Sequence, residues 1–137
     1  DESKDLALLK MKRSRMARIF DQLEPIKMGK GSDIKMAQDV FSIGHPTIEG
    51  DPLLWGYSRG SVNGYKIHSW KAGKKGFKVK AQTIFTQTDA YKGSSGSPLI
   101  NKDGEMLGVI SAVHKEGMNI AVSIDEVHKF LNSVLKE

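Results

Sequence analysis

Gly93-Ser94-Ser95-Gly96-Ser97-Pro98 sets one serine between two glycines and closes on a proline. Glycine reaches backbone angles closed to other residues and leaves room for a carbonyl to approach. Pro98 fixes φ and has no N–H, which stiffens the exit from the turn. A serine held this way presents its hydroxyl outward, and successive amides of such a turn converge into a concavity that favours negative charge, an oxyanion hole. The chemistry on offer is acyl transfer by a nucleophilic hydroxyl. The same composition also describes a plain Gly/Ser surface loop, and the motif by itself leaves both readings open.

The residues that follow narrow the choice. Two apolar runs flank Asp103-Gly104, a strong short-range hairpin signal, so the serine loop leads into strand, turn and strand. The whole phrase GSSGSPLINKDGEMLGVIS resembles the active-serine segment of trypsin-like serine peptidases of the chymotrypsin fold, and most nearly their bacterial HtrA-like and glutamyl-endopeptidase-like branches. The phrase Ile84-Phe85-Thr86-Gln87-Thr88-Asp89-Ala90 resembles the HtrA-like segment that precedes that loop. The resemblance implies that Ser95 is the nucleophile and that the amides of Gly93 and Ser95 form the oxyanion hole. It further implies that Ser111-Ala112-Val113 is the edge that pairs with an extended substrate backbone.

Read alone, Asp5-Leu6-Ala7-Leu8-Leu9-Lys10 is a buried strand, or a helix start with Asp5 as its N-cap. Within the resemblance it matches the strand that carries the catalytic aspartate, which orients the general-base histidine and balances its charge. The chain order in that family is histidine, aspartate, serine. All four histidines here, His45, His68, His114 and His128, follow Asp5. His45 sits in a strand-to-loop phrase and suits a turn, His68 a strand face, His114 the cleft edge and His128 the polar stripe of a helix.

The resemblance therefore implies a C-terminal part of a two-barrel enzyme, because a complete one needs about 200 residues or more. Residues 1–12 are expected to be the last strand of the first barrel, 13–33 an interbarrel linker, 34–122 the second barrel and 123–137 a C-terminal helix. An upstream first-barrel segment would supply the histidine, and the 137-residue chain alone would be nearly inert. A non-catalytic relative that binds peptide or nucleic acid is the alternative. Retention of Ser95, Gly93 and Asp5 together favours the enzyme.

Substrate preference is less determined. Asp89 stands six residues before Ser95, the offset at which trypsin places the acidic floor of its Lys/Arg pocket. A carboxylate there would pair with a cationic side chain. HtrA-like relatives carry the same aspartate with a longer loop, and glutamyl-endopeptidase-like ones can have Asp near this offset without basic specificity, so both readings stand. Ala90, Tyr91, Lys92 and Val113 are the expected pocket walls, with Asn119 a lesser candidate.

The elements that must position these residues read as all-β. Strand signals fall at 34–43, 53–62, 65–70, 77–87 and 118–122, with turns at 46–52 and 73–76, the pattern of an antiparallel barrel. Apolar residues at 16, 19, 20 and 23 have helical spacing that Pro25 would end, and a linker with one helical turn suits them equally. Ser123 and Glu126 stand as a capping box before a stripe of Ile124, Val127, Leu131, Val134 and Leu135, which predicts a terminal helix.

Composition bounds the rest. The 137 residues are 39% hydrophobic and 27% charged, which suits one folded domain with a real core. No apolar run reaches membrane-spanning length. Cysteine is absent, which removes disulfides and thiolate metal sites and leans toward the bacterial relatives. No cofactor box and no metal set is expected, and the partner is a peptide or protein substrate. The net charge of +5 gathers in Lys71, Lys74, Lys75, Lys78 and Lys80 and in a second group from Lys10 to Arg18. The first group alternates with Phe77 and Val79 as a half-exposed strand does, so nucleic acid is disfavoured as partner. The resemblance favours a periplasmic or secreted location.

Overall fold

A computed structural model describes residues 1–11, 21–88, 92–113 and 118–136, with the side chains of Ala112 and Val113 outside the description. Its elements in order are β1 (Lys27–Met28), a 3-10 turn (Gly31–Asp33), β2 (Asp39–Gly44), β3 (Thr47–Ile48), β4 (Asp51–Pro52), β5 (Gly56–Ala72), β6 (Phe77–Thr88), β7 (Pro98–Ile100), β8 (Glu105–Val113), β9 (Asn119–Ser123) and α1 (Ile124–Val134). Strand order is β8-β7-β2-β5-β6-β9, and β9 pairs back onto β8. All of these pairings are antiparallel, so the sheet closes into a six-stranded barrel. Within the closed part no strand edge is left open, while the outer ends of β5 and β6 extend beyond it as a two-stranded ribbon. The all-β expectation with a C-terminal helix therefore holds.

Each barrel strand contributes to one interior cluster: Val40, Val62, Ile84, Leu99, Leu107, Ile110 and Ala121. These are inward-facing strand residues; on β8, Leu107 and Ile110 both face inward because the β7–β8 register shifts between Leu99 and Ile100. A second cluster lies against α1, where Leu6, Ala81, Val122, Ile124 and Val127 are buried together, with Trp70 and Phe130 packed on them. Ile124, Val127 and Leu131 of the predicted stripe dock the helix, while Val134 and Leu135 at its end are exposed.

Three details depart from expectation. The segments 53–62 and 65–70 belong to one long strand, β5, broken only by a register shift between Val62 and Gly64. Residues 2–5 form turns and 6–11 form no strand; a strand needs a neighbour to take its amides, and only Leu6 of this stretch is buried while Leu9 is 87% exposed. The capping box does not close either. Ser123 holds the N-cap position without a side-chain cap bond, and Glu126 accepts from the Gln82 amide at 3.3 Å and pairs with Lys4 Nζ at 3.3 Å. The helical spacing read at 16–23 falls largely on residues outside the description.

The β7–β8 hairpin forms where Asp103-Gly104 predicts it. Asn101 Oδ1 accepts from the amides of Asp103 and Glu105, both at 2.9 Å. This Asx-type bonding fixes the hairpin register, and that register carries Ser111 to its place on β8.

Candidate active site

Ser95 sits in the loop that enters β7. Gly93 there has φ +101, and a Cβ on it would stand 2.7 Å from the carbonyl oxygen of His45. Only glycine satisfies both the left-handed backbone and that approach. The turn after β2 buttresses the loop from the same side, with the Thr47 amide donating to the Lys92 carbonyl at 2.7 Å. Ser94 and Ser97 point inward and are buried, while Ser95 is exposed. The Gly96 amide donates to the Ile110 carbonyl at 2.7 Å, and the Ser97 amide to the Ser94 carbonyl at 3.1 Å. Among the described residues no partner takes the amides of Gly93 or Ser95.

Ser111 joins the expected nucleophile to the expected carboxylate. Ser95 Oγ donates to the Ser111 carbonyl at 2.9 Å, and Ser111 Oγ donates to Asp5 Oδ2 at 2.5 Å. Asp5 and Ser95, ninety residues apart in the chain, thus both bond one residue of β8. Asp5 itself has φ +54, a left-handed conformation that aspartate tolerates better than most residues. Trp70 Nε1 donates to the same Ser111 hydroxyl at 3.2 Å. The sequence places Trp70 only at the end of the strand signal at 65–70. A long-range bond of this kind leaves no mark in local spacing; alternation puts Trp70 on a strand face without saying what that face meets.

The other expected residues divide as follows. Lys92 is exposed in the serine loop, and Ala112 and Val113 extend β8 beyond Ser111. Asp89, Ala90 and Tyr91 lie outside the described residues, as does His114. Asn119 is buried in β9, where its Nδ2 donates to the Thr88 carbonyl at 2.5 Å. The described histidines are engaged elsewhere. His45 Nδ1 accepts from the Trp55 amide at 3.2 Å, the His68 ring stacks with Trp70, and His128 Nε2 lies 3.1 Å from the Gly29 carbonyl. Among the described residues no group of three or more His, Cys, Asp or Glu side chains is placed to hold a metal. A cleft of about 810 Å³ lies between β1, the 3-10 turn and the β7–β8 turn and includes no residue of the serine loop.

Comparison with known proteins gives one coherent answer. Residues 1–109 match the family model described as a trypsin-like peptidase domain. The chain is 28% identical over 133 residues to serine protease HTRA1 of Xenopus tropicalis, covering 96% of this chain and 26% of that protein. It is 31% identical over 136 residues to the serine protease HtrA-like protein of Staphylococcus epidermidis, covering 94% of this chain and 22% of that one. Among solved structures, the active form of the Rv3671c protease from M. tuberculosis superposes with a TM-score of 0.68 at 21% identity, over 81% of this chain and 48% of that chain, which supports the fold. Deg5 superposes with a TM-score of 0.57 at 27% identity, over 78% and 46%. The chain thus spans about a quarter of the length of these curated relatives and about half of these solved chains.

Proposed function

This chain belongs to the trypsin-like peptidase domain family, and from that premise we propose that it carries the nucleophile-bearing part of a serine endopeptidase. In this reading Ser95 Oγ attacks the scissile carbonyl and forms an acyl-enzyme that water then hydrolyses. The amides of Gly93 and Ser95 stabilise the tetrahedral oxyanion. Asp5 holds the general-base histidine in the right tautomer and balances its charge. The backbone of Ser111, Ala112 and Val113 pairs with the substrate, and Asp89, Ala90, Tyr91 and Lys92 form the side-chain pocket. The Ser111 carbonyl that now takes the Ser95 hydroxyl is one that a substrate N–H would take, which would free the hydroxyl for the histidine.

The observation that carries the proposal is the convergence of Ser95 and Asp5 on Ser111. The base is proposed to come from a first-barrel segment outside residues 1–137, with 1–12 as that barrel's last strand, 13–33 the linker, 34–122 the second barrel and 123–137 the terminal helix. The exposure of Leu8, Leu9 and Met11 supports this division, since an apolar run of this kind is expected to be covered.

A fluorophosphonate probe tests the reading. In a protein that includes the upstream segment, Ser95 is expected to label orders of magnitude faster than in residues 1–137 alone, and Ser95→Ala to abolish labelling. Labelling at another serine, or equal rates with and without the upstream segment, overturns it.

A further inference from the structure

We propose that the outer end of the β5–β6 ribbon is a docking surface for an anionic lipid membrane. Beyond the barrel, the strand segments 67–72 and 77–82 pair with each other, from Ile67 opposite Gln82 to Ala72 opposite Phe77, and the N-terminal turn bonds the outer edge of the second at Lys80. Directly opposed residues of an antiparallel pair share a face. One face, with His68, Trp70, Ala72, Val79 and Ala81, is turned inward and is buried or half-buried. The other presents Ile67, Ser69, Lys71, Lys78 and Lys80, all exposed, and the turn adds exposed Lys74 and Lys75. From residue 62 to 88 there are six lysines and no carboxylate, so the rest of the chain carries a net charge of −1 against the whole chain's +5.

Lys71 stands directly opposite Lys78 in the register. Like charges in that relation destabilise a strand pair, and the ribbon holds no acid to relieve them. An external anion supplies that relief. The choice of anion follows from the shape and the side chains. The basic groups are all lysines, point charges suited to diffuse attraction; the forked arginines that read phosphates bidentately are absent here. The basic end protrudes as a ribbon tip, which meets a plane more readily than it tracks a strand in a groove. Ile67 is 63% exposed among the lysines of the outward face, an apolar group of the kind that sinks into an interface while lysines hold the headgroups. The inward face carries Trp70 toward Ser111, so docking by the outward face leaves the candidate active site uncovered.

The experiment is co-sedimentation of the purified protein with phosphatidylcholine vesicles, with and without phosphatidylserine. Binding is expected only to the anionic vesicles, and to fall steeply with salt. The double variant Lys71→Glu with Lys78→Glu is expected to weaken binding at least about tenfold. The pair Lys35→Glu with Lys102→Glu, which changes net charge equally at exposed positions away from the ribbon, is expected to retain it. Circular dichroism of each variant shows that the fold is intact. Equal loss in both double variants, no preference for anionic vesicles, or release from vesicles by an equal charge concentration of duplex DNA overturns the proposal.

Discussion

Ser111 has one hydroxyl proton, and its two polar neighbours decide how that proton is used. Indole N–H can only donate and an ionised carboxylate can only accept, so the order Trp70 to Ser111 to Asp5 is fixed by the chemistry of the groups. Trp70 occupies a lone pair of the hydroxyl and leaves the proton for Asp5. Replacing Trp70 by Phe keeps a ring and removes the donor. In the histidine-bearing protein this change is expected to lower kcat by about fivefold, the worth of one hydrogen bond of about 1 kcal/mol, with KM little changed. A role in packing alone would lower thermal stability without that split, which steady-state kinetics beside a melting curve distinguishes. Gly93 answers to sterics. Gly93→Ala meets both a φ of +101 and the His45 carbonyl, so a loss of stability of about 1–3 kcal/mol and of fluorophosphonate labelling is expected. Ser95, Gly93 and Asp5 are proposed from residue types in fixed local phrases, and the fold sets Ser95 and Asp5 on one residue of β8. Trp70 lies in no such phrase, because its partner is on a distant strand.

Short pairings hold the strands that carry these residues in place. Strand β1 lies parallel to β8 over two residues, and Lys27 Nζ meets Glu105 Oε1 at 2.5 Å beside that contact. The Lys27 hydrogen bond, and after it one from Asn101, holds the Glu105 carboxyl below its ordinary range. The same carboxylate holds the Lys27 ammonium above its ordinary value. A lowered carboxylate contributes stability above its unfolded pKa and loses it as pH falls through the folded value. A raised ammonium contributes below its unfolded pKa and loses it as pH rises through the folded value. Glu105→Gln is therefore expected to lower stability at neutral pH and to converge with the unmodified protein in acid and in strong alkali. Denaturant midpoints across pH, repeated at high salt, check this, and Lys27's exposure predicts a small, salt-sensitive difference. Strand type and the β7–β8 hairpin were readable at this scale because alternation and Asp-Gly are local signals. The diverted capping box was not: Ser123 and Glu126 have the right spacing, but the amide of Gln82 and the ammonium of Lys4 are brought to Glu126 by the fold.

At the scale of the molecule, the barrel is closed and its interior filled, yet the stretch after Asp5 lies uncovered. Leu6 docks against α1 while Leu8, Leu9 and Met11 are exposed at 45%, 87% and 65%. The turn that places Asp5 is tied to the outer edge of β6 by the Lys80 amide, which donates to the Ser3 carbonyl at 3.1 Å, and residues 6–11 form no strand beyond it. Apolar residues recur along the run, so the sequence predicts a strand where the structure shows none. What sequence could not convey is that strand formation depends on a neighbour, and none of the described strands pairs with it. This makes Leu9 a sharp probe of the proposed first barrel. In residues 1–137 alone, Leu9→Asp removes no buried contact, so stability is expected to stay within about 0.5 kcal/mol. In the longer protein, where Leu9 would pack between barrels, the same change buries a charge or breaks the strand. Stability there is expected to fall by about 2–5 kcal/mol, with labelling of Ser95 slowed alongside it as Asp5 loses its register. Chemical denaturation of both lengths makes the comparison. Equal small effects in the two would mean that this stretch packs against nothing, and the two-barrel assembly proposed for Asp5 would fall with it.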